Sequence, residues 1–158
     1  LVLDLACGAG RFWPVLAEHG NRVILAADSS QGMLEHARTH HCAGLLARIK
    51  LFQSSVFSID MSENAVDCIF CMQLFHHVRD SEHRLAILRE LHRVSRDSLI
   101  LSVPVARSSA QVNDLQRIVV SKAEIEAQFA VAGFSILKQY EVLPGCDMGS
   151  IYILRKET

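Results

Sequence analysis

From end to end, short apolar runs alternate with segments whose apolar residues recur at helical spacing. LVLDLA (residues 1–6) reads as a buried strand. In RFWPVLAEHG (11–20), Phe12, Val15, Leu16 and His19 fall on one helical face, Pro14 suits only a first turn, and Gly20 ends the helix. RVILAAD (22–28) is a second strand. SSQGMLEHARTHH follows, with Ser30 as N-cap and Met33, Leu34 and Ala37 on one face. IKLFQSS is a third strand, and AVDCIFCMQLF (65–75), apolar on both faces, a central parallel fourth. SEHRLAILRELHRVS (81–95) places Leu85, Leu88, Leu91 and Val94 on one stripe, SLILSVP is strand five, and SKAEIEAQFAVAGF carries a capping box of Ser121 with Glu124. FSILKQYEVL and GSIYILRK close the chain with PGCDM between them and no helix, so they pair antiparallel.

Five strand–helix alternations predict an α/β, Rossmann-like doubly wound sheet with an antiparallel hairpin at its end. No repeat, low-complexity tract or linker divides the 158 residues, so residues 1–158 read as one domain. The weakest structural signal is in Ala106–Gln116. Because Leu1 already belongs to a strand, an N-terminal segment is expected to precede it.

Composition narrows this only a little. A net charge of −1 gives no electrostatic bias towards nucleic acid or an anionic membrane. No apolar run approaches the roughly 20 residues of a membrane span. Five scattered cysteines (7, 42, 68, 71 and 146) do not form a disulfide framework, which favours a cytoplasmic location.

The candidate chemistry begins at DLACGAG (4–10). Gly8 and Gly10, at the end of the first strand, let backbone N–H groups approach a ligand, and the following helix N-terminus adds positive potential. Asp28 ends strand two, where a carboxylate binds a ribose diol. A dinucleotide fingerprint needs a third glycine at position 13. Trp13 stands there instead, and an indole would hinder close helix–strand packing. A P-loop triplet is absent. Asp4, inside the strand, suits a ligand bearing an ammonium and repels a pyrophosphate, which points to S-adenosylmethionine.

VLDLACGAGRF, DSSQGMLEHAR and AVDCIFCMQLFHHV, with the later LRELHRVS…LILS and AGFSI, resemble the motifs of class I S-adenosylmethionine-dependent methyltransferases, the ubiquinone/menaquinone C-methyltransferase-like (methyltransferase type 11) group in particular. The resemblance implies strand order 3-2-1-4-5-7-6 with strand seven antiparallel. It implies that Asp4 and the backbone at Ala6, Gly8 and Gly10 hold the methionine part, Asp28 the ribose, and Ser29 and Met33 the adenine face. Ser55, followed by Val56, stands where the family has Asp for the adenine amino group. Cys71, Met72 and Gln73 would face the sulfonium or the substrate. SRDS (95–98) replaces a glycine turn, with Asp97 expected in the left-handed conformation.

The implied activity is methyl transfer to a small-molecule acceptor by in-line displacement, leaving S-adenosylhomocysteine. An RNA or protein methyltransferase and a non-catalytic cofactor-binding module or partner subunit are the alternatives. His76 and His77 are the candidate general bases, against a packing role. No metal is expected: Cys68 and Cys71, at odd spacing in one strand, point to opposite faces. THHC (39–42) reads as a solvated helix end. Arg84, Arg89 and Arg93 read as the wet face of their helix, with no nucleic-acid partner. Short acceptor-side segments leave an open site, a separately supplied lid or a homodimer partner.

Overall fold

The computed structural model describes residues 1–106, 118–142 and 149–158. Most of the Ala106–Gln116 connection, together with PGCDM and Cys146, lies outside the described residues. The strands are β1 (Val2–Leu5), β2 (Ile24–Asp28), β3 (Ile49–Gln53), β4 (Val66–Cys71), β5 (Ser95–Val103), β6 (Phe134–Glu141) and β7 (Ser150–Lys156). They form one sheet in the order β3-β2-β1-β4-β5-β7-β6. The first five are parallel, and β7 runs antiparallel to both β5 and β6. The anticipated topology holds in full.

The helices are α1 (Trp13–Leu16), α2 (Gln31–His40), α3 (Ala43–Leu46), α4 (Ser81–Val94) and α5 (Lys122–Ala132), with a 3₁₀ turn over Leu74–His77. Local chemistry sets their ends. Ser30 accepts from the Met33 N–H at the start of α2, and Ser121 accepts from the Glu124 N–H at the start of α5. Gly133, at φ +94°, ends α5 in the left-handed region. The larger core lies under α4 and α5. Leu88, Leu91 and Val94 of the predicted stripe are buried there, joined by Ile87, while Leu85 packs partly buried at its edge.

Several expectations are corrected. The helix predicted over 11–20 is a single turn whose buried side chains are Trp13 and Leu16; Val15 is exposed. Packing against the sheet, rather than 3.6-residue periodicity, selects that face. So short a turn adds little macrodipole to the site. SRDS is no turn. β5 begins at Ser95, directly after α4, the register shifts between Val66 and Cys68, and Asp97 is not among the residues with positive φ. The extended backbone there continues the sheet and needs no left-handed residue.

Arg84 does not belong to a wet face, since it is 5% exposed and donates to the Val78 and Arg79 carbonyls, Gln128 and Glu124. Arg93 is likewise half-buried, pinned by Glu90 and by the Ile59 and Met61 carbonyls.

Candidate functional site

β1 ends one residue early, because Ala6 takes φ +57°. Gly8 (φ +55°) and Gly10 (φ +79°) follow in the same left-handed region, which a glycine occupies without strain. The turn is stitched to the neighbouring strand. The Cys7 N–H donates to the Ala27 carbonyl at 3.0 Å, and the Gly8 N–H donates to Asp28 Oδ2 at 2.9 Å. The Gly10 N–H donates to the Cys7 carbonyl. Both glycine amides are therefore engaged within the protein, and these glycines supply conformation and space rather than ligand donors. A Cβ on Gly8 would meet Met33 Cε at 3.4 Å, at the wall of a cleft.

Asp4 is buried beneath this turn. The Trp13 indole Nε1–H donates to its Oδ2 at 3.0 Å. Burial is the largest influence on this carboxyl and raises its pKa to about 7; the Trp13 hydrogen bond partly offsets that, and the charge of Asp28 adds to it. Trp13 is fully buried with its ring directly under Gly10, where a Cβ would fall 2.4 Å from the indole. The indole does not hinder packing here, because the missing Cβ of Gly10 makes room for it. His41, at the end of α2, packs against that indole at 4.8 Å between ring centroids and donates through Nε2 to the Ala9 carbonyl. THHC is thus only partly a solvated end.

The opposite wall comes from the end of β4. Gln73 adopts φ +66° and turns the chain into the 3₁₀ segment. Its N–H donates at 2.6 Å to Oγ of Ser102, a fully buried serine on β5. Two non-glycine residues in the left-handed region, Ala6 and Gln73, thus line one cleft. Strain of this kind gathers at ligand sites.

The cleft encloses about 330 Å³, within the range of small-molecule sites. Of the sequence-predicted residues it brings together Asp4, Ala6, Gly8, Met33, Met72, Gln73 and His77. Gly10 lies behind it against Trp13. Asp28, half-buried, follows along the sheet, its Oδ1 accepting from the Ser30 N–H at 2.9 Å. Ser29 and Ser55 are exposed at the ends of β2 and β3. Val56 packs partly buried on the larger core, and Ser55 Oγ accepts from the Phe57 N–H.

Cys71 is a correction. Its side chain is fully buried in the larger core and does not line the cleft, because strand alternation turns it to that core while Met72, also buried, faces the cleft. His76 is half-buried and outside the lining. Sequence reading missed Arg11 and Phe12 as lining residues; Phe12 packs edge-on to Phe70 at 5.3 Å. Their place depends on α1 being one turn, which periodicity does not reveal.

Burial pushes the Cys7 thiol to about 12, so it stays protonated and is no nucleophile at neutral pH. Among the described residues no group of three or more His, Cys, Asp or Glu side chains is placed to hold a metal ion. Among them, too, no helix is long and apolar enough to cross a membrane.

Residues 2–98 match the family model described as "Methyltransferase domain". No curated protein sequence matches the chain. Solved structures share the fold. The magnesium protoporphyrin IX methyltransferase of Synechocystis PCC 6803 with bound S-adenosylmethionine superposes with TM-score 0.78 at 18% identity, over 99% of this chain and 70% of that one. An S-adenosylmethionine-dependent methyltransferase from Methanosarcina mazei gives 0.83 at 15% identity, over 99% and 92%. The [4+2]-cyclase SpnF gives 0.80 at 19% identity, over 99% and 74%.

Proposed function

The chain belongs to the methyltransferase domain family, and from that premise we propose that it binds S-adenosylmethionine across the ends of β4, β1, β2 and β3 and transfers the methyl group to a small-molecule acceptor. The observation that carries this reading is the buried Asp4 carboxylate in the cleft, beneath a left-handed glycine turn and one strand from Asp28. A desolvated carboxylate near a second one, with a neutral indole donating to it, favours a cationic ligand. The α-ammonium of the cofactor's methionine end is such a cation, and a turn stripped of side chains at Gly8 leaves room for it. Asp28 already accepts two backbone N–H groups, and each oxygen keeps a lone pair for a ribose hydroxyl. Met33, a flexible thioether at the rim, suits the adenine side.

The cofactor supplies a methyl group already activated on a sulfonium, so the protein's part is binding and orientation. Met72 and Gln73 form the wall towards the acceptor. His77, in the same lining, would take a proton from an O–H or N–H acceptor. The net charge of −1 supports a small acceptor over a polyanionic one.

Calorimetry with S-adenosylmethionine tests binding. Asp28→Ala should weaken it by about 3 kcal/mol, on the order of two charge-assisted hydrogen bonds. Unchanged affinity would put the ribose elsewhere. Since a [4+2]-cyclase shares the fold, transfer needs its own measurement, with methyl-labelled cofactor and a panel of small acceptors. Binding without transfer to any acceptor would favour a cofactor-binding module or partner subunit.

A further inference from the structure

We propose that Trp13 is a positioning residue for the cofactor's ammonium group, acting through Asp4: its buried indole N–H holds one carboxylate oxygen so that the other stays turned into the cleft. The inference rests on the cofactor reading above and adds a residue to it.

An aspartate side chain rotates about two single bonds, so a carboxylate at a binding site needs an anchor to present one oxygen constantly. Here the Trp13 Nε1–H fixes Oδ2 at 3.0 Å. The anchor is itself rigid. The ring is fully buried and lies under Gly10, where even a Cβ has no room. It packs on His41, which is tied to the Ala9 carbonyl at 2.8 Å. The Trp13 backbone N–H donates to the Gly10 carbonyl at 3.1 Å. The indole therefore links the end of α2, the back of the glycine turn and the acid of β1. Packing alone would be satisfied by any large ring. The directed N–H on a carboxylate that lines the cleft is what packing does not require.

The test separates the two ends of the cofactor. Trp13→Phe keeps a ring and removes the donor. It should weaken S-adenosylhomocysteine, which carries the ammonium, about tenfold, as expected for one hydrogen bond to a charged group. It should leave 5′-methylthioadenosine, which lacks the amino-acid end, unchanged. A Trp13→Phe/Asp4→Asn double variant should bind S-adenosylhomocysteine no more weakly than Asp4→Asn alone.

The chain has a single tryptophan, so biosynthetic replacement by a benzothienyl analogue, with sulfur in place of N–H, changes no other residue and keeps the ring's shape. The analogue protein should show the same split between ligands and decides the matter if Trp13→Phe does not fold. Equal weakening of both ligands, or no weakening of S-adenosylhomocysteine, would overturn the role of Trp13. Wild-type protein that binds neither ligand would overturn the cofactor reading itself, and the inference with it.

Discussion

Asp4 shows how one residue couples folding and binding with opposite signs. Its folded pKa of about 7 lies above the ordinary 3.8, so between those values the native protein holds more protons than the unfolded chain. Its favourable contribution to stability is complete below about pH 4 and is lost as pH rises through 7. Asp4→Asn should therefore raise the melting temperature, relative to wild type, more above pH 7 than below pH 4; thermal melts across that range check it. Binding runs the other way. An ammonium favours the ionised carboxylate, so wild-type affinity for S-adenosylmethionine should fall as pH drops below about 7. Calorimetry in buffers of different ionisation enthalpy should then register proton release. Asp4→Asn should bind more weakly at about pH 8 and show a flat profile. The type and place of this acid were legible in DLACGAG, but its protonation was not, because burial and the neighbours Trp13 and Asp28 set it.

Among the helices, the long ones declared themselves and the short ones did not. α4 carries the stripe of Leu85, Leu88, Leu91 and Val94, and α5 has Ser121 as N-cap and a terminal glycine, so local signals agree. α1 is one turn after a glycine corner, and its face was misread because two buried residues leave no period to detect. The end of β4 was misread for a related reason. The apolar run continues through Leu74 and Phe75, while the chain leaves the sheet after Cys71 and turns at Gln73, whose N–H is held from β5 by Ser102, 29 residues away. The glycine corner itself yields a firm prediction. Gly10→Ala would place a Cβ 2.4 Å from a buried indole at φ +79°. The variant should lose about 2–4 kcal/mol by urea unfolding, the range for overpacking plus a strained left-handed residue. A wild-type midpoint would show that the indole has somewhere to move.

At the scale of the whole molecule, the cleft depends on ties between distant segments. Arg84 joins α4, the loop after the 3₁₀ turn and α5 through one buried guanidinium. Arg84→Met should cost about 2–3 kcal/mol by leaving carbonyls unsatisfied. Glu124→Ala should cost less, because Glu124 is 45% exposed and water replaces its partner. Equal losses in chemical denaturation would mean the ion pair, rather than the carbonyl contacts, holds the junction. The sequence by itself determined the strand–helix alternation, the glycine corner with its two acids, and hence the doubly wound sheet. Each of these is written in local periodicity or spacing along the chain. Only the tertiary structure decided that Trp13 bonds Asp4, that Asp28 and Ser102 hold the two left-handed turns, that Cys71 faces the core, and that Arg84 is buried. Those outcomes arise where different elements compete for the same space and the same hydrogen bonds, and the order of residue types along the chain does not record which partner wins.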